Sequence, residues 1–362
     1  MYNNPRLILD TSDPLEPGAI TWRSPSNIAI IKYWGKYGQQ LPRNPSLSLT
    51  LAASCTDTHL EYAMKEEGED SRISLDFSFQ GAENEAFATK VQDYLTSLLP
   101  VFPFLGQLQL TIRTGNSFPH SAGIASSASG MSALALCLCS LEDQLFATLQ
   151  DPAEYDRKAS YLARLGSGSA CRSIFPHAAV WGETPLVAGS SNEYAVPVGD
   201  QIHAAFKDFH DDILIVSQAE KAVSSRAGHA LMDGNPYAEV RYAQARTRLA
   251  QLLEALRTGD IATFGKIAED EALTLHAMMM ASNPSYLLLH PNSLAIIEKV
   301  REYRAATGHP VYFTLDAGPN VHLLYPGDIV HEVRAFIERD LEEYCDEGYV
   351  QFDWVGEGPE EM

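Results

Sequence analysis

The sequence predicts an α+β protein built in two halves. Strand and helix periodicities mix within each half. A glycine- and serine-rich loop joins an alternating strand to an apolar helix between residues 107 and 149. The chain has 362 residues, longer than the roughly 250–300 at which single cores stop growing. Hydrophobic residues make up 45% and charged residues 20%, a balance that builds a folded core and not a disordered chain.

The elements follow in chain order. Ala63 to Arg72 is charged and turn-like, and Ile73 to Phe79 alternates as a strand. Glu85 to Leu99 reads as a helix and Gln107 to Arg113 as an alternating strand. Gly115 to Ser127 is a loop of small residues leading into a helix from Ser127 to Leu149. Glu154 to Leu165 is helical, Gly166 to Ser173 a loop, and Ala178 to Gly182 strand-like. A boundary is expected near residue 205, giving units 1–205 and 206–362, because polar turns there precede the buried strand Asp212 to Ser217. Ala238 to Leu256, Ile261 to Met280 and Ser293 to Thr307 are helical. Short strands at Val311 to Leu315 and His322 to Tyr325 flank a turn at 317–320, and Val330 to Tyr344 is a last helix.

Charge and cysteine usage exclude several classes. Acidic residues number 47 against 26 basic, a formal charge of −21. Phosphate backbones and anionic membranes repel such a surface, so neither nucleic acid nor membrane is an expected partner. An anionic small molecule remains allowed where cations gather locally. The five cysteines show no CxxC pair, which fits reduced thiols in a cytoplasmic protein. The N-terminal segment lacks a basic stretch followed by an apolar one, and no apolar run is long enough to span a bilayer.

Four segments carry chemistry. The loop Phe118 to Gly130 brings backbone N–H groups and the hydroxyls of Ser121, Ser126 and Ser127 to a helix start, where an anion is favoured. It is not a Walker loop, and a Gly/Ser turn before a tightly packed helix is the alternative. In Leu165 to Ser173, Ser167 and Ser169 precede Arg172, whose guanidinium can fork onto a carboxylate or phosphate. A flexible loop with a surface arginine, its glycines capping a helix, is the alternative. Lys32 ends the apolar run after Ser26, with Tyr33 and Lys36 following. A lysine there needs an anion or must snorkel to solvent. Asp316 leaves the hydrophobic segment Tyr312 to Leu315 at a tight turn, as a general base or as a turn-initiating residue. Lys221 to Arg226 adds hydroxyls and cations, or simply a helix cap at Ser224 or Ser225. His276 is a site residue or a core histidine, and Met278 to Met280 is packing. Together these segments fit phosphoryl transfer from a nucleotide to the hydroxyl of an anionic substrate.

The motifs SNIAIIKYWGK, NSFPHSAGIASSASG, GSGSACRS and TLDAGPN, spread from Asn27 to Asn320, resemble those of diphosphomevalonate decarboxylases in the GHMP kinase superfamily. The resemblance implies a domain like the second domain of ribosomal protein S5 followed by a ferredoxin-like domain, with the site in the cleft between them. It implies ATP and Mg²⁺, phosphorylation of the tertiary hydroxyl of mevalonate 5-diphosphate, then loss of CO₂ and phosphate to give isopentenyl diphosphate. Asp316 matches the catalytic aspartate, Arg172 the arginine that grips the substrate carboxylate, and Lys32 the lysine near the reacting phosphoryl group. Tyr33, Lys36, Ser167, Ser169, Ser225 and Arg226 match substrate contacts. Ser121, Gly123, Ala125, Ser126 and Ser127 match the ATP-binding loop, with Ser127 also toward the metal. PHSAGIA stands where PTAAGLA is commoner, Pro45 follows Asn44 where a serine is usual, and Ser24 stands where Ala often does. A phosphomevalonate decarboxylase or a mevalonate kinase on the same fold is the nearest rival, and a non-catalytic metabolite-binding module a second. The sequence leaves the oligomeric state open, a homodimer included.

Overall fold

The computed structural model describes residues 1–10, 12, 15–66, 72–119, 124, 126–219 and 223–362. The first half opens on two long strands, β1 (Gly18–Ile31) and, beyond the short hairpin β2 (Lys36–Tyr37) and β3 (Leu41–Pro42), β4 (Ser46–Met64). Next come β5 (Ser74–Phe79), α1 (Glu85–Ser97), β6 (Leu108–Asn116), α2 (Ser126–Phe146) and α3 (Pro152–Gly166). A 3₁₀ helix at Gly168–Ile174 precedes β7 (Ala178–Trp181) and β8 (Ala195–Pro197). The second half contains β9 (Phe209–Leu214), α4 (Ser225–Ala230), α5 (Ala238–Thr258), α6 (Ile261–Met280) and α7 (Pro291–Thr307). It closes with β10 (Tyr312–Thr314), β11 (Val321–Pro326), α8 (Val330–Phe336), β12 (Val350–Gln351) and β13 (Glu360–Glu361).

The first sheet runs β13-β1-β4-β6-β5, with β7 and β8 attached beyond β4. Its pairs are antiparallel except β5 with β6. Burial in β4 alternates from Cys55 onward, as in a sheet with one solvated face, but is continuous from Ser46 to Leu51. The matching end of β1, Ser24 to Ile31, is also buried throughout. There the strands are covered on both sides, by α2 and the 3₁₀ helix and by α5 and α6 of the second half. Helix α2 is apolar around nearly its whole circumference because it packs on β1, β4 and α3 together.

The second sheet runs β10-β11-β9-β12 and is antiparallel. The strand expected at 212–217 starts earlier, at Phe209, because Asp211 and Asp212 are buried with partners. Asp211 pairs with His322 at 2.8 Å, and Asp212 binds the Tyr325 hydroxyl and Arg334. The helix expected at 330–344 changes form: α8 passes into a π turn at Ile337–Leu341 and a 3₁₀ turn at Glu342–Tyr344. No Gly or Pro lies in that stretch to mark the change. Gly166 to Ser173 is not an open loop but largely the buried 3₁₀ helix.

The two halves share core. Ile28, Leu47 and Leu49 of the first sheet pack in one cluster with Phe209, Leu249 and Phe264. The C-terminal tail crosses back: Gly356 N–H donates to Thr50 O and His177 N–H to Gly356 O, both at 2.9 Å, and β13 pairs with β1. The Asp353 carboxylate, fully buried, accepts the N–H groups of Ala52, Ala53 and Ser54 at 2.7–2.9 Å. These contacts tie the C-terminal tail to β1 and β4 of the first sheet.

Candidate active site

Lys32 follows directly on β1. Its side chain is 1% exposed and its Nζ donates to Asp316 Oδ1 at 2.8 Å, across 284 residues of sequence. The need for an anion at the end of a buried strand is met by that carboxylate, and Lys32 does not snorkel. Asp316 is itself 29% exposed, so one edge of the pair is open to solvent. Three contacts fix its turn. Gly318 N–H donates to Asp316 O at 2.8 Å, His276 Nε2 lies 3.1 Å from the same carbonyl, and Asn320 exchanges two hydrogen bonds with Ser217, at 3.0 and 3.2 Å. His276 is thus a buried histidine beside the site. Met278 and Met279 pack with Trp34 and Tyr242, but Met280, expected to pack with them, is exposed because it points off the buried stripe of α6.

Arg172 is buried, not on a surface loop. The 3₁₀ helix presents its guanidinium inward, where Nε donates to Ser48 Oγ at 2.9 Å and Asn27 Oδ1 at 3.3 Å, and Nη1 to Ser46 Oγ at 2.7 Å. Burial lowers its pKa; the neighbouring Cys171 thiol and the Asp316 carboxylate oppose that shift. Arg172 therefore lies within the field of Asp316. Asn27 completes the brace, its Nδ2 donating to Ser173 Oγ at 2.8 Å and to Ser169 O at 3.2 Å. A side chain at Gly168 would collide with Trp181 and with the Tyr33 hydroxyl, so glycine allows this close approach.

Beyond Lys32 the chain turns sharply at Gly35 (φ +97°). Tyr33 lies between Trp181 and the His229 ring, centroids 4.6 and 4.3 Å away. Its hydroxyl is buried and makes no hydrogen bond within the described residues. Lys36 Nζ donates to Gln40 Oε1 at 2.8 Å; burial lowers its pKa, and repulsion from Arg226 lowers it further. Two like charges brought together in a chain of net −21 mark a place for an anion. Ser225 begins α4 next to Arg226, and Ser224, not Ser225, caps that helix by accepting the Ala227 N–H.

Ser126 and Ser127 begin α2, and Ser127 Oγ lies 3.3 Å from Ser167 Oγ, so the two glycine-containing segments meet. Ser169 contributes its carbonyl to Asn27. The remaining loop residues singled out, Ser121, Gly123, Ala125 and also Lys221, lie outside the described residues. Beside the α2 start is a cavity of about 200 Å³ lined by Phe77, Phe79, Phe87, Met131 and polar Thr58 and Asn116. No group of three or more acidic, histidine or cysteine side chains that could hold a metal occurs among the described residues. The donors present fit Mg²⁺ in the way it commonly binds a nucleotide, through phosphate oxygens, water and one protein oxygen such as Ser127 Oγ.

Comparison with known proteins identifies the family. Residues 24–192 match the diphosphomevalonate decarboxylase-like N-terminal domain, and residues 212–352 the mevalonate 5-diphosphate decarboxylase C-terminal domain. The diphosphomevalonate decarboxylase of Ganoderma lucidum is 31% identical over 88% of this chain and 80% of its own. The chain belongs to the diphosphomevalonate decarboxylases. The Saccharomyces cerevisiae decarboxylase is 30% identical over 87% of this chain and 79% of its own. Among solved structures, mevalonate diphosphate decarboxylase from Staphylococcus aureus superposes with a TM-score of 0.81 at 28% identity, covering 96% of this chain and 98% of that one. The Enterococcus faecalis enzyme gives 0.79 at 29%, covering 96% and 99%. A further structure, in complex with MVAPP, AMPPCP and magnesium, gives 0.78 at 30% identity, covering 96% and 99%. The fold is thus that of these decarboxylases, the GHMP kinase fold, and the chain is an enzyme of their family.

Two buried titratable residues beside the candidate site, Glu271 and His229, were not singled out from sequence. Glu271 is fully buried; its Oε2 accepts the Lys32 N–H at 2.9 Å and its Oε1 binds Arg241 and Arg248, each at 2.9 Å. The signal was present: Glu271 falls on the apolar stripe Phe264, Ala268, Leu275 of α6, and Arg241 on that of α5 beside Tyr242, Ala245 and Leu249. His229 is the second; nothing local distinguished it from the other histidines. Asn44, which precedes Pro45, donates to Lys32 O at 3.1 Å and to Pro45 O at 2.8 Å. The proline therefore sits within the brace and leaves it intact.

Proposed function

We propose that this chain converts mevalonate 5-diphosphate and ATP to isopentenyl diphosphate, ADP, phosphate and CO₂, with Asp316, Lys32 and Arg172 as the reacting centre. The supporting observation is the Lys32–Asp316 pair at 2.8 Å, its ammonium buried, with the inward guanidinium of Arg172 within the field of that carboxylate. A non-catalytic binding module has no use for a carboxylate held in that way.

The steps balance as follows. The tertiary hydroxyl oxygen bonds to the γ-phosphorus of ATP as the bond to ADP breaks, and its proton passes to an Asp316 carboxylate oxygen. Lys32 orients that carboxylate and places positive charge where the transferring phosphoryl group is negative. The carbon–carbon bond to the substrate carboxylate then breaks. Its electrons form the double bond, the new phosphate leaves from the tertiary carbon, and CO₂ departs. Arg172, held by Asn27, Ser46 and Ser48, aligns the carboxylate for this step. Mg²⁺, bound with the nucleotide, supplies charge neutralisation on the phosphates.

Lys36, Arg226, Ser225 and the unpartnered Tyr33 hydroxyl take the diphosphate. Two cations at that end favour two phosphates over one, and over the unphosphorylated substrate of a mevalonate kinase. Ser126, Ser127 and the backbone of the preceding loop, with Ser121, Gly123 and Ala125, take the ATP phosphates, and the adjacent aromatic-lined cavity takes the nucleoside. Ser167 and Ser169 line the substrate side. Residues 1–205 form the nucleotide-binding unit and 206–362 the ferredoxin-like unit, and the protein works in the cytoplasm. All the named groups belong to one chain, so a homodimer is not required for the chemistry. Incubation with MgATP and either mevalonate 5-phosphate or mevalonate 5-diphosphate tests the reading. Equal release of CO₂ and ADP with the diphosphate is expected; ADP without CO₂ would make the protein a kinase.

A further inference from the structure

The imidazole of His229 lies in the turn that carries the diphosphate contacts, and nothing in the reaction above uses it. Its ring lies between Tyr33 and Trp34, tilted to each, centroids 4.3 and 4.6 Å away. Its Nδ1 lies 3.0 Å from the backbone nitrogen of Gly35 and accepts that N–H. The side chain is buried, and it reaches the turn from α4, the helix that also carries Ser225 and Arg226. One ring thus touches Tyr33, Trp34 and Gly35, one residue before Lys36, and is rooted on the element opposite.

We infer that His229 is a positioning residue for substrate specificity: it ties the Tyr33–Lys36 turn to α4 and so sets the spacing of Lys36 and Arg226 to that of a diphosphate. A cation pair discriminates between one phosphate and two only if its separation is fixed, because both side chains are long and flexible. Gly35 sits at φ +97°, a conformation that only glycine adopts freely, and its N–H is buried against the histidine. Without an acceptor that N–H would be an unpaired buried donor. Acceptance at Nδ1 places the ring proton on Nε2. The ring also stays neutral: burial, and then the nearby Lys36 cation, push its pKa down to about 3. A charged ring would add a third cation to the subsite and could no longer accept the Gly35 N–H.

The inference rests on the proposed substrate, so the unaltered enzyme is assayed first. Turnover of mevalonate 5-diphosphate by that enzyme supports the substrate reading whatever the variants do. His229→Phe keeps ring volume and stacking but has no acceptor. His229→Asn loses the ring but offers an oxygen near the Nδ1 position. Loss of one buried hydrogen bond leads us to expect His229→Phe to raise the KM for mevalonate 5-diphosphate about 5- to 10-fold. The KM for ATP should stay within about twofold, and the preference for diphosphate over monophosphate substrate should narrow by a similar factor. His229→Asn should recover most of both losses. The inference is overturned if His229→Phe leaves the diphosphate KM and the preference unchanged. It is equally overturned if both variants lower every parameter together, ATP included, as a folding defect would.

Discussion

Glu271→Gln separates the charge of a buried group from its shape. The Glu271 side chain is 0% exposed and answers two guanidinium groups, those of Arg241, 2% exposed, and Arg248, 15% exposed. Glutamine can still accept the Lys32 N–H but leaves Arg241 without its counter-ion and Arg248 with only Asp270, 3.7 Å away. Removing one partner of a buried ion cluster costs about 3–5 kcal/mol, because the charges left behind remain desolvated. For a chain of 362 residues the unfolding entropy is about 0.76 kcal/mol/K, so the midpoint should fall by about 4–7 °C. Lys32 then keeps only a neutral, weaker acceptor at its backbone while its Nζ must still reach Asp316, 2.8 Å away. A shift of about 1 Å in a reacting group costs about 10²-fold. We expect kcat to fall about 10- to 10²-fold, with the KM for the diphosphate substrate nearly unchanged. Scanning calorimetry and CO₂ release well below the transition measure the two effects on the same samples. Adding Arg248→Gln should cost less than it does alone, since the cation it removes has already lost its nearer partner. A variant that melts where the parent does would refute the energetic reasoning. One that melts early but turns over at the parental rate would refute the link to Lys32.

Asp316→Asn should abolish decarboxylation while nucleotide binding, followed by calorimetry with a non-hydrolysable ATP analogue, persists; retained CO₂ release would remove Asp316 from its role. Arg172→Ala should lower turnover about 10²-fold or more, the scale for losing a fixed charge stabiliser, and an unchanged rate would exclude it from the chemistry. Acid should destabilise the fold through His229. Its folded pKa is depressed to about 3. Below its ordinary value, near 6.5, the unfolded chain takes up a proton that the folded chain refuses. Stability present above pH 6.5 is therefore lost as the pH falls toward 3, by about 2 kcal/mol between pH 7 and pH 5. Urea unfolding at those two pH values should show that extra loss in the parent and not in His229→Asn; parallel losses would contradict the assignment.

The local chemistry was legible in the sequence because it depends on short spacings. The glycine and serine segments, the lysine ending an apolar run, and Asp316 leaving a strand each name their residue types without reference to the rest of the chain. Helices such as Ile261–Met280 were legible because an apolar stripe repeats with the helix period, whereas Pro291–Thr307 was read two residues short at its start, where Pro291 opens the first turn. The long strand Ser46–Met64 was missed, since its first third is buried on both faces and carries no alternation. The break after Phe336 was missed because no residue announces it.

By itself the sequence determined which groups could act: an acid, two lysines, two arginines and the hydroxyls of two loops. Only the tertiary structure decided which of them meet. Lys32 and Asp316 are 284 residues apart and become an ion pair because β1 and β10 end at the same cleft. Whether Arg172 lay on the surface or within was likewise undecided until Asn27, Ser46 and Ser48 closed around it. The physical reason is that a charge can be buried only where the fold delivers partners from distant segments, and no short stretch of sequence contains its own partners.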